Sequence, residues 1–277
     1  MTFPIRLPLT GLPVAETGRR SALLAAWATA HLAGQVDQRR ACLAITGGDE
    51  PHAVDGLDTG DDLAALLANL RARGATGLRL VLPVPGDPRG LPGPGALSEL
   101  ALRMGEAVRV QEPGAATGVA ASYGLVPVIS RAGTEADGYA VLVRWQVLTC
   151  PPAEPGPAGS GRRAERDLAE ALRDIATALS RLDVARLGTA GEQALAVLRE
   201  DGRRGRLPVR LPPQHPPGAQ ALLAQADRLA AVLDIAGADD GAAIDRGSVA
   251  NRRELLRELG GAVRRARVAA VNAPLER

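Results

Sequence analysis

GYAVLVRWQVLTCPPAEPGPAGSG, residues 138–161, decides the fold, because two opposite kinds of sequence meet inside it. Its first part alternates, with Tyr139, Val141, Val143, Trp145 and Val147 on one side and Ala140, Leu142, Arg144 and Gln146 on the other. Successive side chains of a strand point to opposite faces, so this pattern is a half-buried strand of an antiparallel sheet. Its second part, residues 151–161, holds only Pro, Ala, Gly, Ser and one Glu, the composition of a linker. Nothing beyond residue 161 reads as a strand. The expected fold is therefore α+β: a mixed-sheet domain over 1–150, a Pro/Gly linker over 151–161, and a helical bundle domain over 162–277.

Upstream of the deciding strand, residues 17–34 place Leu24, Trp27, Ala28 and His31 at helical spacing. The apolar run 41–46 reads as a short strand ending in the loop GGDEPH, 47–52. A helix capped by Thr59 follows, with Leu63, Leu66, Leu67 and Leu70 along one face and Gly74 at its end. Residues 78–84 form a strand leading into the turn-rich PGDPRGLPGPG, 85–95, then a helix over 96–104. Strands near 106–111, 123–130 and 138–149, joined by short Gly-containing loops, predict a meander.

Downstream, Leu168, Leu172, Ile175, Leu179 and Leu182 make a seam at 4-3-4-3 spacing. Thr189 and Glu192 suit a capping box for a second helix. Leu222, Ala226, Leu229 and Leu233 mark a third, and Leu255, Leu256, Leu259, Val263 and Ala266 a fourth capped by Ser248. Four amphipathic helices can bury one another as a bundle. The Pro-rich segment 207–218 between the second and third reads as extended polyproline II.

The composition excludes several kinds of chemistry. All 33 basic residues are Arg, so a Schiff-base lysine, a pyridoxal-phosphate anchor and a P-loop lysine are impossible. Only five aromatics occur, so the core must be built from Leu, Val and Ala. Residues 1–150 carry 13 Arg against 14 acids and residues 151–277 carry 20 against 17. Neither balance has the basic excess of a nucleic-acid binder. Cys42 and Cys150 make no disulfide framework, and no run of about 20 apolar residues is long enough to span a membrane. Prolines interrupt the N-terminal MTFPIRLPLTGLP where a signal peptide needs an apolar helix. The expected location is the cytoplasm.

GGDEPH concentrates Asp49, Glu50 and His52, which makes it the first candidate for catalysis, with a carboxylate as general base beside the imidazole. GGDE matches the hallmark of diguanylate cyclases, but Pro51 stands where they have an aromatic and no lysine is available for phosphate, so that assignment fails. The competing reading is a polar turn in which Gly supplies positive φ and Asp bonds local backbone. Arg89, in the loop 86–95, is the candidate ligand-binding residue, suited to a bidentate anion contact. Prolines at 88, 92 and 94 remove N–H donors from that loop and favour a rigid connection. His31, His52 and His215 show no ligand spacing, neither Cys lies in a CxxC pair and no GxSxG elbow occurs, so no metal and no cofactor are expected. His215, among prolines, is expected in solvent.

GDEPH (48–52), RARGATGLRLVLPVPGDPRGL (71–91) and LDVARL (182–187) together resemble an actinobacterial protein family of unknown function. The resemblance implies no activity and carries no catalytic residue onto this sequence. The expected role is a non-catalytic cytosolic binding or assembly protein that self-associates or binds a protein partner. The alternative is a small-molecule enzyme or sensor with a site between loops 47–52 and 86–95, which requires Asp49, His52 and Arg89 to converge. Nucleic acid and membrane are not expected partners.

Overall fold

Residues 16–57, 60–112, 122–134, 138–151, 160–181, 209–238 and 246–276 are described by a computed structural model. The cap expected at Thr59, the helix expected around Thr189 and Glu192, and LDVARL fall outside the described residues. Helix α1 (Arg19–Leu32) opens the fold, followed by α2 (Gln38–Thr46), β1 (Ala53–Asp55), α3 (Leu63–Ala72) and β2 (Gly77–Val81). Next come α4 (Ala96–Met104), β3 (Ala107–Gln111), β4 (Ser122–Thr134) and β5 (Gly138–Cys150). The helices α5 (Ser160–Arg181), α6 (Pro217–Ala238) and α7 (Arg246–Asn272) follow.

The five strands form one mixed sheet in the order β1-β5-β4-β3-β2. β2 to β5 are antiparallel neighbours, with β3, β4 and β5 making the expected meander, and β1 joins β5 in parallel with Val54 opposite Trp145. Val143 and Trp145 are buried while Leu142 and Arg144 are exposed, as the alternation predicts. The β3–β4 ladder pairs only Val108 with Leu125 and Arg109 with Gly124. Pro127, two residues on, has no N–H to continue it.

The fold departs from expectation at residues 41–46, which are helical rather than extended. Asp37 caps α2 by accepting the Arg40 N–H at 2.8 Å, and Ala41 and Ile45, one turn apart, are its buried residues. A six-residue apolar run cannot distinguish strand from helix, and the deciding first turn lay in the polar residues before it. The strand missed by periodicity is β1, three residues long. α3 is capped by Asp62, whose carboxylate accepts the Ala65 N–H at 2.7 Å. α7 begins at Arg246, ahead of the expected cap Ser248.

α4 packs on one face of the sheet, where Leu97 and Ala101 meet Val81, Ala107 and Val126. α1 packs on β2 and β3. On the edge strand β2, the Thr29 hydroxyl of α1 accepts the Leu78 N–H at 2.9 Å and donates to the Leu78 carbonyl at 3.4 Å. One side chain thereby satisfies both backbone groups of an edge residue. Arg71 of α3 donates to the His31 carbonyl at 2.7 Å, placing a cation at the C-terminal end of α1.

The described residues group into two compact units. One holds residues 17–151 with Leu211–Gln214, and the other holds residues 160–181 and 215–276 with Glu16 and 209–210. In the second, α7 packs against both α5 and α6. Its buried side is rich in small residues, including Ala262, Ala266, Ala269 and Ala270, and α6 buries Leu223, Ala226 and Ala230. A buried ion pair, Arg267 Nε to Asp227 Oδ1 at 2.8 Å, ties the two helices together. His215, expected in solvent, is buried and its Nε2 donates to the Ala270 carbonyl at 3.0 Å.

Candidate functional site

GGDEPH follows a helix rather than a strand, and that sets its geometry. Gly47 ends α2 at φ +65°, a conformation that favours glycine. The Asp49 N–H then bonds the Thr46 carbonyl at 3.1 Å, and the Glu50 N–H bonds the Val141 carbonyl of β5 at 3.1 Å. Between these anchors the Asp49 carboxylate turns inward and Glu50 stays exposed.

Arg20 of α1 meets Asp49 as a two-point fork, Nε to Oδ2 at 2.8 Å and Nη2 to Oδ1 at 3.1 Å. Arg19 Nη1 stands 3.8 Å from the same carboxylate. His52 Nε2 faces Asp49 Oδ2 at 3.6 Å, an electrostatic contact longer than a hydrogen bond. On the other side of the imidazole, Trp145 donates its indole N–H to Nδ1 at 3.2 Å. An indole nitrogen can only donate, so Nδ1 carries no proton and the neutral ring holds its hydrogen on Nε2, toward Asp49. Side-chain exposure is 5% for Arg20, 6% for Asp49 and 0% for His52.

The row continues to Glu106, the residue before β3 and 0% exposed. Its Oε2 accepts the Ser21 N–H at 2.9 Å. Gly18 precedes α1 and offers no side-chain cap, so a carboxylate 85 residues away does the capping. Burial pushes the Glu106 carboxyl above its ordinary range, outweighing the Ser21 hydrogen bonds, the Arg20 charge and the Gly18 N–H. Asp49 behaves oppositely. Burial alone would raise it, but the facing His52 and the Arg20 and Arg19 guanidinium groups hold it below the usual carboxylate range.

Asp49 and His52 are thus brought together, whereas Arg89 lies with the loop after β2. β1 and β2 occupy opposite edges of the sheet. Arg89 forks onto Asp87, its own loop neighbour, at 2.6 and 2.8 Å, with its side chain 66% exposed. The loop is pinned by Arg109 Nη1 on the Gly90 carbonyl at 3.2 Å and by the Ser98 hydroxyl on the Gly93 carbonyl.

Arg20, Glu106 and Trp145 escaped the sequence reading. One signal was available: two arginines in the first turn of α1, where the helix dipole disfavours cations. Such a placement needs carboxylates from elsewhere, and Asp49 and Glu106 supply them.

Chemically the cluster is closed. Both ring nitrogens of His52 face protein, both Asp49 oxygens face Arg20, and a general base must reach its substrate. Among the described residues no group of three or more His, Cys, Asp or Glu is placed to hold a metal ion. No helix of the described residues is long and apolar enough to cross a membrane.

Two family models match the chain: the N-terminal domain of Rv1486c-like proteins over residues 21–159, and the C-terminal domain over 162–268. Two uncharacterized proteins of Mycobacterium tuberculosis, MT1533 of strain CDC 1551 and Rv1486c of strain H37Rv, are each 30% identical over 221 residues. In both cases 77% of this chain and 75% of the relative are covered. No solved structure matches.

Proposed function

The chain belongs to the Rv1486c-like protein family, an actinobacterial family of unknown function, and from that premise we propose that it is a non-catalytic cytoplasmic binding or assembly protein. The observation that carries this reading is the fork of Arg20 on Asp49, which uses both oxygens of the best candidate base for holding α1 to the 47–52 turn. The pairing of Arg89 with Asp87 of its own loop supports the same reading, since the alternative needs Asp49, His52 and Arg89 in one pocket. The near balance of charge in both halves argues for a protein partner or a second copy of the chain rather than nucleic acid.

We also propose that residues 1–150 and 162–277 act as two domains joined by the linker 151–161. The family models, which meet between residues 159 and 162, support that boundary. Light scattering coupled to size-exclusion chromatography of the full chain tests the self-association part. A concentration-dependent rise above the monomer mass of 28.6 kDa is expected. A monomer at every micromolar concentration, with no protein co-purifying from the native host, would remove the proposal.

A further inference from the structure

β4 and β5 are both longer than the sheet that holds them. They pair residue for residue from Ser122 opposite Cys150 to Thr134 opposite Gly138. β3 reaches β4 only at Gly124 and Leu125, and β1 reaches β5 only from Arg144 to Gln146. Residues 127–134 and 138–143 therefore run on as a two-stranded ribbon, roughly 25 Å long. On its β5 side the Glu50 N–H takes the Val141 carbonyl at 3.1 Å, so the 47–52 turn closes part of that edge. On its β4 side, among the described residues, no strand pairs with 127–134. Past Pro127 every residue carries an N–H, and Arg131 is the single charge in VISRAGT, residues 128–134. Ser130, Ala132 and Leu142 are exposed. Edge strands are ordinarily blunted by proline, charge or a cover, and a two-stranded ribbon alone is marginal in water.

We propose, resting on the self-association reading above, that β4 of one copy pairs with β4 of a second copy about a two-fold axis, with Ser130 opposite Ser130. A two-fold axis normal to the sheet makes identical edge strands antiparallel and uses the same patch on both copies. The joined sheets must also match their pleats. Opposed residues then point to the same face, and the axis passes through a residue rather than between two.

Charge and length select that residue. An axis at Arg131 sets two like charges directly opposite each other, which destabilises a sheet. An axis at Ile129 drives the partner ribbon into β3, which flanks Leu125 through Val108. An axis at Ala132 lets only residues 130–134 pair. With the axis at Ser130, residues 127–133 pair in both copies. Val128 then stands opposite Ala132 and Ile129 opposite Arg131, so no charge meets its like. Leu142 lies opposite Ser130 within the ribbon. The row across the axis therefore reads Leu142, Ser130, Ser130, Leu142, with two exposed leucines flanking two small side chains.

Residues opposed on the axis have Cα atoms about 4.5–5.5 Å apart, within disulfide reach. Ala132, exposed on the same strand, would stand about 14 Å from its own copy, out of reach. The test uses the full chain with Cys42→Ser, because Cys42 is the partly exposed native thiol and Cys150 is buried. Under mild oxidation Ser130→Cys should form a covalent dimer at least about tenfold faster than Ala132→Cys. In light scattering, Ser130→Lys puts two ammonium groups on the axis and should raise the concentration of half-dimerisation about tenfold or more. Equal cross-linking of the two cysteine variants, or a dimer that Ser130→Lys leaves unchanged, would overturn this interface and leave self-association standing. A wild-type chain that stays monomeric at every micromolar concentration would overturn both.

Discussion

Trp145 donates its indole N–H to Nδ1 of His52 across 3.2 Å, joining residues 93 positions apart. Trp145 is 0% exposed and sits at the centre of the alternating strand, so this donor is fixed by the sheet and in turn fixes the imidazole. Trp145→Phe keeps most of the apolar area and leaves a buried nitrogen unsatisfied. A loss of about 1–3 kcal/mol is expected in urea unfolding, beyond any packing cost.

Asp49→Asn removes the charged partner onto which the buried Arg20 guanidinium forks. Removing one partner of a buried ion pair costs about 3–5 kcal/mol, so the variant should unfold at markedly lower denaturant. Because the Asp49 carboxyl is held low, its contribution is present above the ordinary carboxylate range and lost as pH falls through its folded value. Acid titration of stability should therefore be shallower in Asp49→Asn than in the wild type.

The ion pair of the helical unit is the second test of buried charge. Arg267 and Asp227 side chains are 2% and 1% exposed. Burial drives the Asp227 carboxyl upward, further than Arg267 pulls it down. Asp227→Asn should cost about 3–5 kcal/mol, whereas Asp227→Leu with Arg267→Met should be neutral or stabilising by about 1–4 kcal/mol. Thermal unfolding of the two variants separates these outcomes.

Gly124 gives α4 its close approach to the sheet. A Cβ there would press into the δ-methyls of Leu97, itself 2% exposed and unable to swing away. Gly124→Ala should destabilise by about 1–3 kcal/mol. Adding Leu97→Val, which removes those methyls, should recover part of the loss in the same unfolding assay.

Arg89→Ala is the contrasting case. The side chain is largely in water and pairs with Asp87 two residues away, so stability should change by less than about 0.5 kcal/mol. A larger change in unfolding midpoint would show that the loop depends on this pair.

Legibility in the sequence followed the length and regularity of each pattern. The strand 138–149, the leucine face of α3 and the helix 96–104 were readable because burial repeats along them with a fixed period. Residues 41–46 were misread because their apolar run is shorter than two helical turns. β1 was missed because three residues display no period. At the candidate site the turn residues Asp49 and His52 stood out by chemical type, while Arg20, Glu106 and Trp145 looked like ordinary residues of their own elements.

By itself, the sequence determined an aliphatic, lysine-free α+β chain with strands and helices before residue 151 and helices alone legible after 161. Those features depend on composition and local periodicity, which neighbouring residues carry. Only the tertiary structure decided that Arg20, Asp49, His52, Trp145 and Glu106 form one buried row, and that Arg89 pairs with Asp87 of its own loop. A carboxylate's partner is fixed by which elements pack together, and a cap supplied from 85 residues away leaves no local trace beyond two arginines where a helix would ordinarily avoid them.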